Sequence, residues 1–184
     1  MKKPSSHQKR RWTGKRRLKV FISHSSRDAS FVTLIVELLK TSTLKEDEIR
    51  CTSVDGYGVP TGEKVAELLR RDIETCDIII AVLTKDALKS LHVLLELGAG
   101  WGLEKRLVPI RGPGVELSGL PQWLSEKHGM PWDHEQCWYD FDPDVFRKLG
   151  KRLQHPKKFK GIVNRLVTWQ WQAPQPGSAR SKHG

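Results

Sequence analysis

The chain has 184 residues, the length of one domain with short extensions, and that is enough to close a core without disulfide or metal staples. Three cysteines, Cys51, Cys76 and Cys137, are odd in number and not closely paired, which argues against a disulfide framework or a zinc site. The net charge of +11 is a property of the ends: residues 1–17 hold eight Lys/Arg and residues 147–184 hold ten, neither with any acid, so all 21 acids lie in 18–146 and make it net negative.

Residues 1–17 read as a basic disordered tail. Such tails solvate a protein or bind nucleic acid or anionic membrane through charge. The start is positive but lacks the apolar segment of a signal peptide, and no apolar run approaches the roughly 18 residues of a membrane span. A cytoplasmic location is expected. Order is predicted to begin at Leu18, with Leu18–Ser23 as a buried strand. His24–Asp28 is rich in turn and capping residues, and Phe31, Leu34, Ile35, Leu38 and Leu39 repeat at helical spacing across Ala29–Lys40.

A second strand is predicted at Ile49–Val54, followed by a Gly- and Pro-rich loop, Asp55–Gly62. A second helix starts at Glu63 and carries Val65, Leu68, Leu69 and Ile73 on one face. Ile78–Leu83 is an unbroken apolar run, as expected of a parallel strand covered on both sides; Cys76 just before it reads as core. Ser90 caps a third helix running to about Glu104, and Leu107–Ile110 forms a fourth strand. Beyond Pro113 the pattern is weaker. Gly119–Leu124 reads as a short helix, Gln136–Phe141 as a fifth strand, and Asp142 or Asp144 as the cap of a helix through Phe146, Leu149 and Leu153. Phe159–Trp171 reads as a last amphipathic helix with Ile162, Leu166 and Trp169 on one face.

Regular alternation of strand and helix defines a doubly wound parallel sheet. In the flavodoxin-like order 2-1-3-4-5 the winding reverses between strands one and three, where ligands bind at the strand carboxyl ends. That crevice is lined by the loops Ser23–Asp28 and Thr84–Ser90, and the loop Asp55–Gly62 closes over one side. The third helix rises from it, and between Ser90 and Leu103 its only acid is Glu96, with His92 four residues earlier on the same face. A carboxylate costs several kcal/mol to desolvate unless paired, so Glu96 is the leading candidate functional residue. The structural alternative is a narrow wet face or a pairing with a nearby Arg. Gly98, Gly100 and Gly102 each cost this helix about 1 kcal/mol and are expected to allow close packing.

The ordered blocks Val20–His24, Asp55–Gly62, Ile73–Leu83, Ser90–Trp101 and Val108–Ile110 together resemble the Toll/interleukin-1 receptor (TIR) domain family, particularly its bacterial branch. The likeness covers about 18–112 well and 113–155 loosely. It implies a flavodoxin-like TIR domain over 18–155, with the helix in 156–173 packed on or beside it and a tail over 174–184. It further implies cleavage of the nicotinamide–ribose bond of NAD⁺, by hydrolysis or cyclisation and without a metal. Glu96 takes the position of the catalytic glutamate, which suits an oxocarbenium-like ribose. Ser23, Ser25 and Ser26, Pro60 and Gly62, and Ser90 and His92 take nucleotide-contacting positions. Catalytic members usually carry Trp where this chain has His92.

Implied partners are further copies of the chain through TIR–TIR contacts and a separate sensor or effector protein, in bacterial defence signalling. A non-catalytic, self-associating adaptor is the alternative. A third reading is nucleic-acid or anionic-membrane binding through the tails, where Trp12, Phe159, Trp169 and Trp171 interleave with basic residues. Asp133, His134, Glu135 and Cys137 match no standard zinc spacing.

Overall fold

In the computed structural model, residues 18–51, 65–125 and 129–171 are described. They form a five-stranded parallel sheet of order 2-1-3-4-5, the predicted flavodoxin-like arrangement. The strands are β1 (Val20–Ser23), β2 (Ile49–Arg50), β3 (Ile78–Leu83), β4 (Arg106–Arg111) and β5 (Met130–Pro131), and the helices are α1 (Ala29–Leu39), α2 (Val65–Thr75), α3 (Leu91–Gly102), α4 (Gln122–Ser125), α5 (Glu135–Tyr139) and α6 (Pro156–Val167).

Every residue of β1 and β3 is buried, as central strands covered on both faces must be. Alternation then assigns each side chain a layer. Val20, Ile22, Ile78, Ile80, Val82 and Ile110 face α1, α5 and α6, where they meet Phe31, Trp138 and Phe159. Phe21, Ile79, Ala81, Leu83 and Leu107 face the other way, onto Ile73 of α2 and Val93 and Leu97 of α3. Cys76 lies in this second layer and is fully buried, which pushes its thiol up to about 11. Ser23 follows Phe21 by two residues, so the pleat directs it to the α2–α3 side, and it sits beside Ala81 in the register.

Three predicted elements differ. The fifth strand is not Gln136–Phe141 but Met130–Pro131, paired with Ile110 and Arg111. Residues 135–139 form α5 instead, because Trp138 and Phe141 stand three apart and both enter the core on one helical face. A two-residue strand ending in proline belongs at a sheet edge. Second, no α-helix runs through Leu153. A π turn at Asp142–Phe146 and a 3-10 turn at Arg147–Leu149 end at Gly150, whose φ of 67° is left-handed, and Leu153 bridges Ser42.

Third, the last helix begins at Pro156, a residue suited to the first helical position, and ends at Val167. Ile162 and Leu166 do lie on its buried face, but Trp169 and Trp171 follow the helix and pack on Phe31, with ring centroids 6.0 and 4.5 Å away. Thr52–Lys64 and both chain ends, with the predicted tails and the loop of Pro60 and Gly62, lie outside the described residues. Among the described residues no helix is long and apolar enough to cross a membrane.

Candidate functional site

Glu96 stands on α3 in a cleft of about 460 Å³ between α2 and α3, lined by Leu69, Arg70, Ile73 and Glu74 on one wall and by His92, Leu95, Glu96, Ala99, Gly102 and Leu103 on the other. The spacing explains the lining: residues 92, 96, 99 and 103 recur at three and four and share one side of the helix. The helix itself is placed by Ser90, whose hydroxyl accepts from the Val93 amide at 3.5 Å. Gly100 seats it on the sheet. A methyl group there would collide with Ile79 Cδ1 and touch Leu107. Gly98 and Gly102 face open space, so only one of the three glycines serves close packing.

The Ser23 hydroxyl donates to Glu96 Oε2 at 2.6 Å. This is a charge-assisted bond of the short, strong class. Burial pushes the Glu96 carboxyl above the usual carboxylate range, and the Ser23 hydrogen bond and the nearby His92 draw it back down. The group is thus oriented, half-buried and open to the cleft. It can stabilise positive charge developing on a bound molecule, accept hydroxyl hydrogen bonds, or exchange a proton.

The two loops at the switch point are tied together. Thr84 Oγ1 donates to Asp28 Oδ2 at 2.8 Å and accepts from the Ala87 amide at 3.0 Å. Arg27 pairs with Asp86 at 3.1 Å. Burial raises the Asp28 carboxyl, partly offset by Thr84. These ties join the loop after β1 to the loop after β3. Sequence reading missed them, and it also missed Leu69, Ile73, Ala99 and Leu103 as lining residues. Their only signal is the apolar face of each helix, which reads equally as core.

Among the predicted site residues, the fold brings Ser23, His92 and Glu96 together. Ser90 caps the same helix. Ser25 is half-buried, and its hydroxyl accepts from the Arg27 amide at 3.3 Å to open a 3-10 turn before α1; Ser26 is exposed on that turn. Pro60 and Gly62 lie outside the described residues. His134 Nδ1 lies 3.4 Å from Cys137 Sγ, and Glu135 accepts instead from the Tyr139 hydroxyl. Among the described residues no group of three or more His, Cys, Asp or Glu side chains is placed to hold a metal.

A parallel sheet of this order with helices on both faces defines a flavodoxin-like domain, and its candidate site is the hydrogen-bonded carboxylate on the helix after the third strand. The TIR domain family profile matches residues 20–150, and the chain belongs to that family. A segment of 83 residues, 45% of the chain, is 32% identical to the uncharacterised protein YddK of Bacillus subtilis (strain 168). That alignment spans only 31% of the relative's length. The crystal structure of the TIR domain of the Toll-related receptor TRR-2 of Hydra magnipapillata superposes with a TM-score of 0.56 over 71% of this chain and 97% of that one, at 22% identity; it shares the fold.

Proposed function

We propose that this chain cleaves the glycosidic bond between nicotinamide and ribose in NAD⁺, as a hydrolase or cyclase of the TIR type. The observation that supports this best is Glu96, held by Ser23 at the end of β1 and open to the cleft between α2 and α3. As the bond breaks, its electrons leave with nicotinamide, which departs neutral, and positive charge develops on the ribose C1′ and ring oxygen. The ionised Glu96 carboxylate stabilises that charge or holds the ribose hydroxyls. Water then adds at C1′ and loses a proton to give ADP-ribose, or the adenine of the same molecule adds in its place to give a cyclic isomer. Ser25, Ser26 and Ser90 contact the nucleotide in this reading, Pro60 and Gly62 cover it, and His92 lies beside the nicotinamide.

The enzyme acts as an assembly of copies, in bacterial defence signalling with a separate sensor or effector protein. The test is product analysis of NAD⁺ incubated with wild type and with Glu96→Ala, each at several protein concentrations and with agents that promote assembly. Nicotinamide release by the wild type alone supports the reading. Equal release by both removes Glu96 from it, and no release under any condition removes the enzyme. A second reading, a non-catalytic self-associating adaptor, draws support from the exposed leucines of α3 and from His92 in place of Trp. It predicts assembly without turnover.

A further inference from the structure

Among the described residues, the large apolar side chains left exposed are Leu91, Leu94, Leu95, Trp101 and Leu103, every one of them on or just after α3. At 100° per residue, Val93, Leu97 and Gly100 point to the sheet and Glu96 to the cleft, while Leu91, Leu94, Leu95, Gly98, Trp101 and Gly102 form one outward face. Trp101 stays beside Trp123, with centroids 5.6 Å apart, at one flank. No Asp, Glu, Lys or Arg stands on this face, so its occupant is apolar and uncharged where it touches.

We infer that this face is the surface on which a second copy of the chain docks, α3 against α3, antiparallel about a two-fold axis. The sequence of sizes along the face carries the inference. Its first half is a ridge, with Leu91 69% and Leu95 61% exposed. Its second half is a gap, Gly98 and Gly102, where nothing lies within 4 Å of a built Cβ. Ridge and gap have the same four-residue spacing, the spacing on which helices interlock. Reversing one copy sets Leu91 over Gly102 of the partner and Leu95 over Gly98 of the partner in a single register. Both pairs share one centre, between Glu96 and Leu97.

A parallel arrangement would set leucine on leucine and leave the glycines opposite one another. Self-complementarity about a two-fold is what a closed dimer of identical chains requires. The four outward side chains expose on the order of 500 Å² of apolar surface, at the upper end of what a monomer carries. With the glycine backbone between them they reach on the order of 600 Å², below the roughly 800 Å² that each partner of a standard interface buries and the size of a weak, reversible dimer. The axis passes directly behind Glu96, and the partner's helix borders the cleft at Leu95 and Gly102. Docking therefore holds still the helix that carries the carboxylate. The inference rests on the self-association in the reading above and adds its surface and symmetry.

Sedimentation velocity on the full chain over a concentration series is the test, with circular dichroism to confirm folding of each variant. The expected result is a closed monomer–dimer equilibrium. Leu91→Arg and Gly98→Leu weaken it by about tenfold or more, while Lys157→Glu on α6 leaves it unchanged. A Leu95→Cys/Gly98→Cys double variant in a Cys137→Ser background is expected to form a disulfide between chains on oxidation. A dimer indifferent to Leu91→Arg and Gly98→Leu overturns this surface but leaves self-association standing. Open-ended oligomers overturn the two-fold. A wild type that stays monomeric at its highest soluble concentration removes both, and NAD⁺ cleavage is scored separately from all of these.

Discussion

Ser23 and Glu96, separated by 73 positions in the chain, meet at 2.6 Å, with the serine hydroxyl donating to the carboxylate. The bond favours the ionised form of a group that burial pushes the other way. Under the proposed reaction the ionised form is the active one. Ser23→Ala removes one of the influences holding the Glu96 value down, so the acid limb of the pH–rate profile is expected to move to higher pH. The neutral-pH rate is expected to fall by about 10- to 100-fold, the value of one charge-assisted hydrogen bond. Steady-state NAD⁺ cleavage across about pH 4–9 reads both effects.

The same carboxylate weakens the fold. Its folded value is raised above the ordinary 4.5, so the folded state holds the proton more tightly than the unfolded state. Stability is therefore fullest below the ordinary value, declines as pH rises through the window up to the folded value, and stays reduced above it. Glu96→Gln keeps the shape and removes the charge. It is expected to melt higher than wild type at neutral pH, by about 2–4 °C for each kcal/mol relieved, with the gain vanishing in acid. Thermal unfolding followed at several pH values measures it.

Thr84 satisfies two buried groups at once, the Asp28 carboxylate and the Ala87 amide. Thr84→Val takes the hydroxyl from both, leaving Asp28 with its Ser25 backbone hydrogen bond, and is expected to destabilise the domain by about 1–3 kcal/mol. Chemical denaturation of the purified variant gives the value, and the serine variant, which keeps the hydroxyl, is expected to recover most of it.

Two glycines two residues apart on α3, and so on opposite faces of the helix, are expected to respond oppositely to alanine. At Gly98 the added methyl meets nothing, and helix propensity alone stabilises by up to about 1 kcal/mol. At Gly100 it meets the fully buried Ile79, and overpacking of about 1–3 kcal/mol outweighs the propensity gain. Paired denaturation curves decide the sign at each position.

His92 lines the cleft one turn before Glu96. A tryptophan there offers a broader face for a stacked base. His92→Trp is expected to lower the KM for NAD⁺ by about threefold to tenfold, consistent with roughly 0.5–1.5 kcal/mol for an aromatic pair. Initial-rate kinetics on the two proteins compare them directly.

The first two-thirds of the fold was legible because its strands are unbroken apolar runs and its helices carry clear periodic faces. Ile78–Leu83 and Ala29–Leu39 leave little choice of element. After Pro113 the signals conflict. Gln136–Phe141 contains β-favouring aromatics, and only packing against Phe31 turns Trp138 inward on a helix. Met130–Pro131 is too short to announce itself, and its neighbour β4 decides that it is a strand. Glu96 was legible as a charge out of place in an apolar helix. Its partner was not, because a serine at a strand end looks like any turn residue.

Local chemistry therefore determined much by itself: the alternation of strands and helices, the helix that carries Glu96, the cap at Ser90 and the negative middle between basic ends. These follow from periodicity, turn residues and charge, which are properties of neighbours in the chain. Only the tertiary structure decided that Ser23 orients Glu96, that Thr84 locks Asp28, and that Leu91, Leu94 and Leu95 of α3 remain uncovered while Gly100, alone of that helix's three glycines, serves close packing. Each depends on which face of a strand or helix meets which distant element, and that is fixed by the assembled sheet rather than by any single segment.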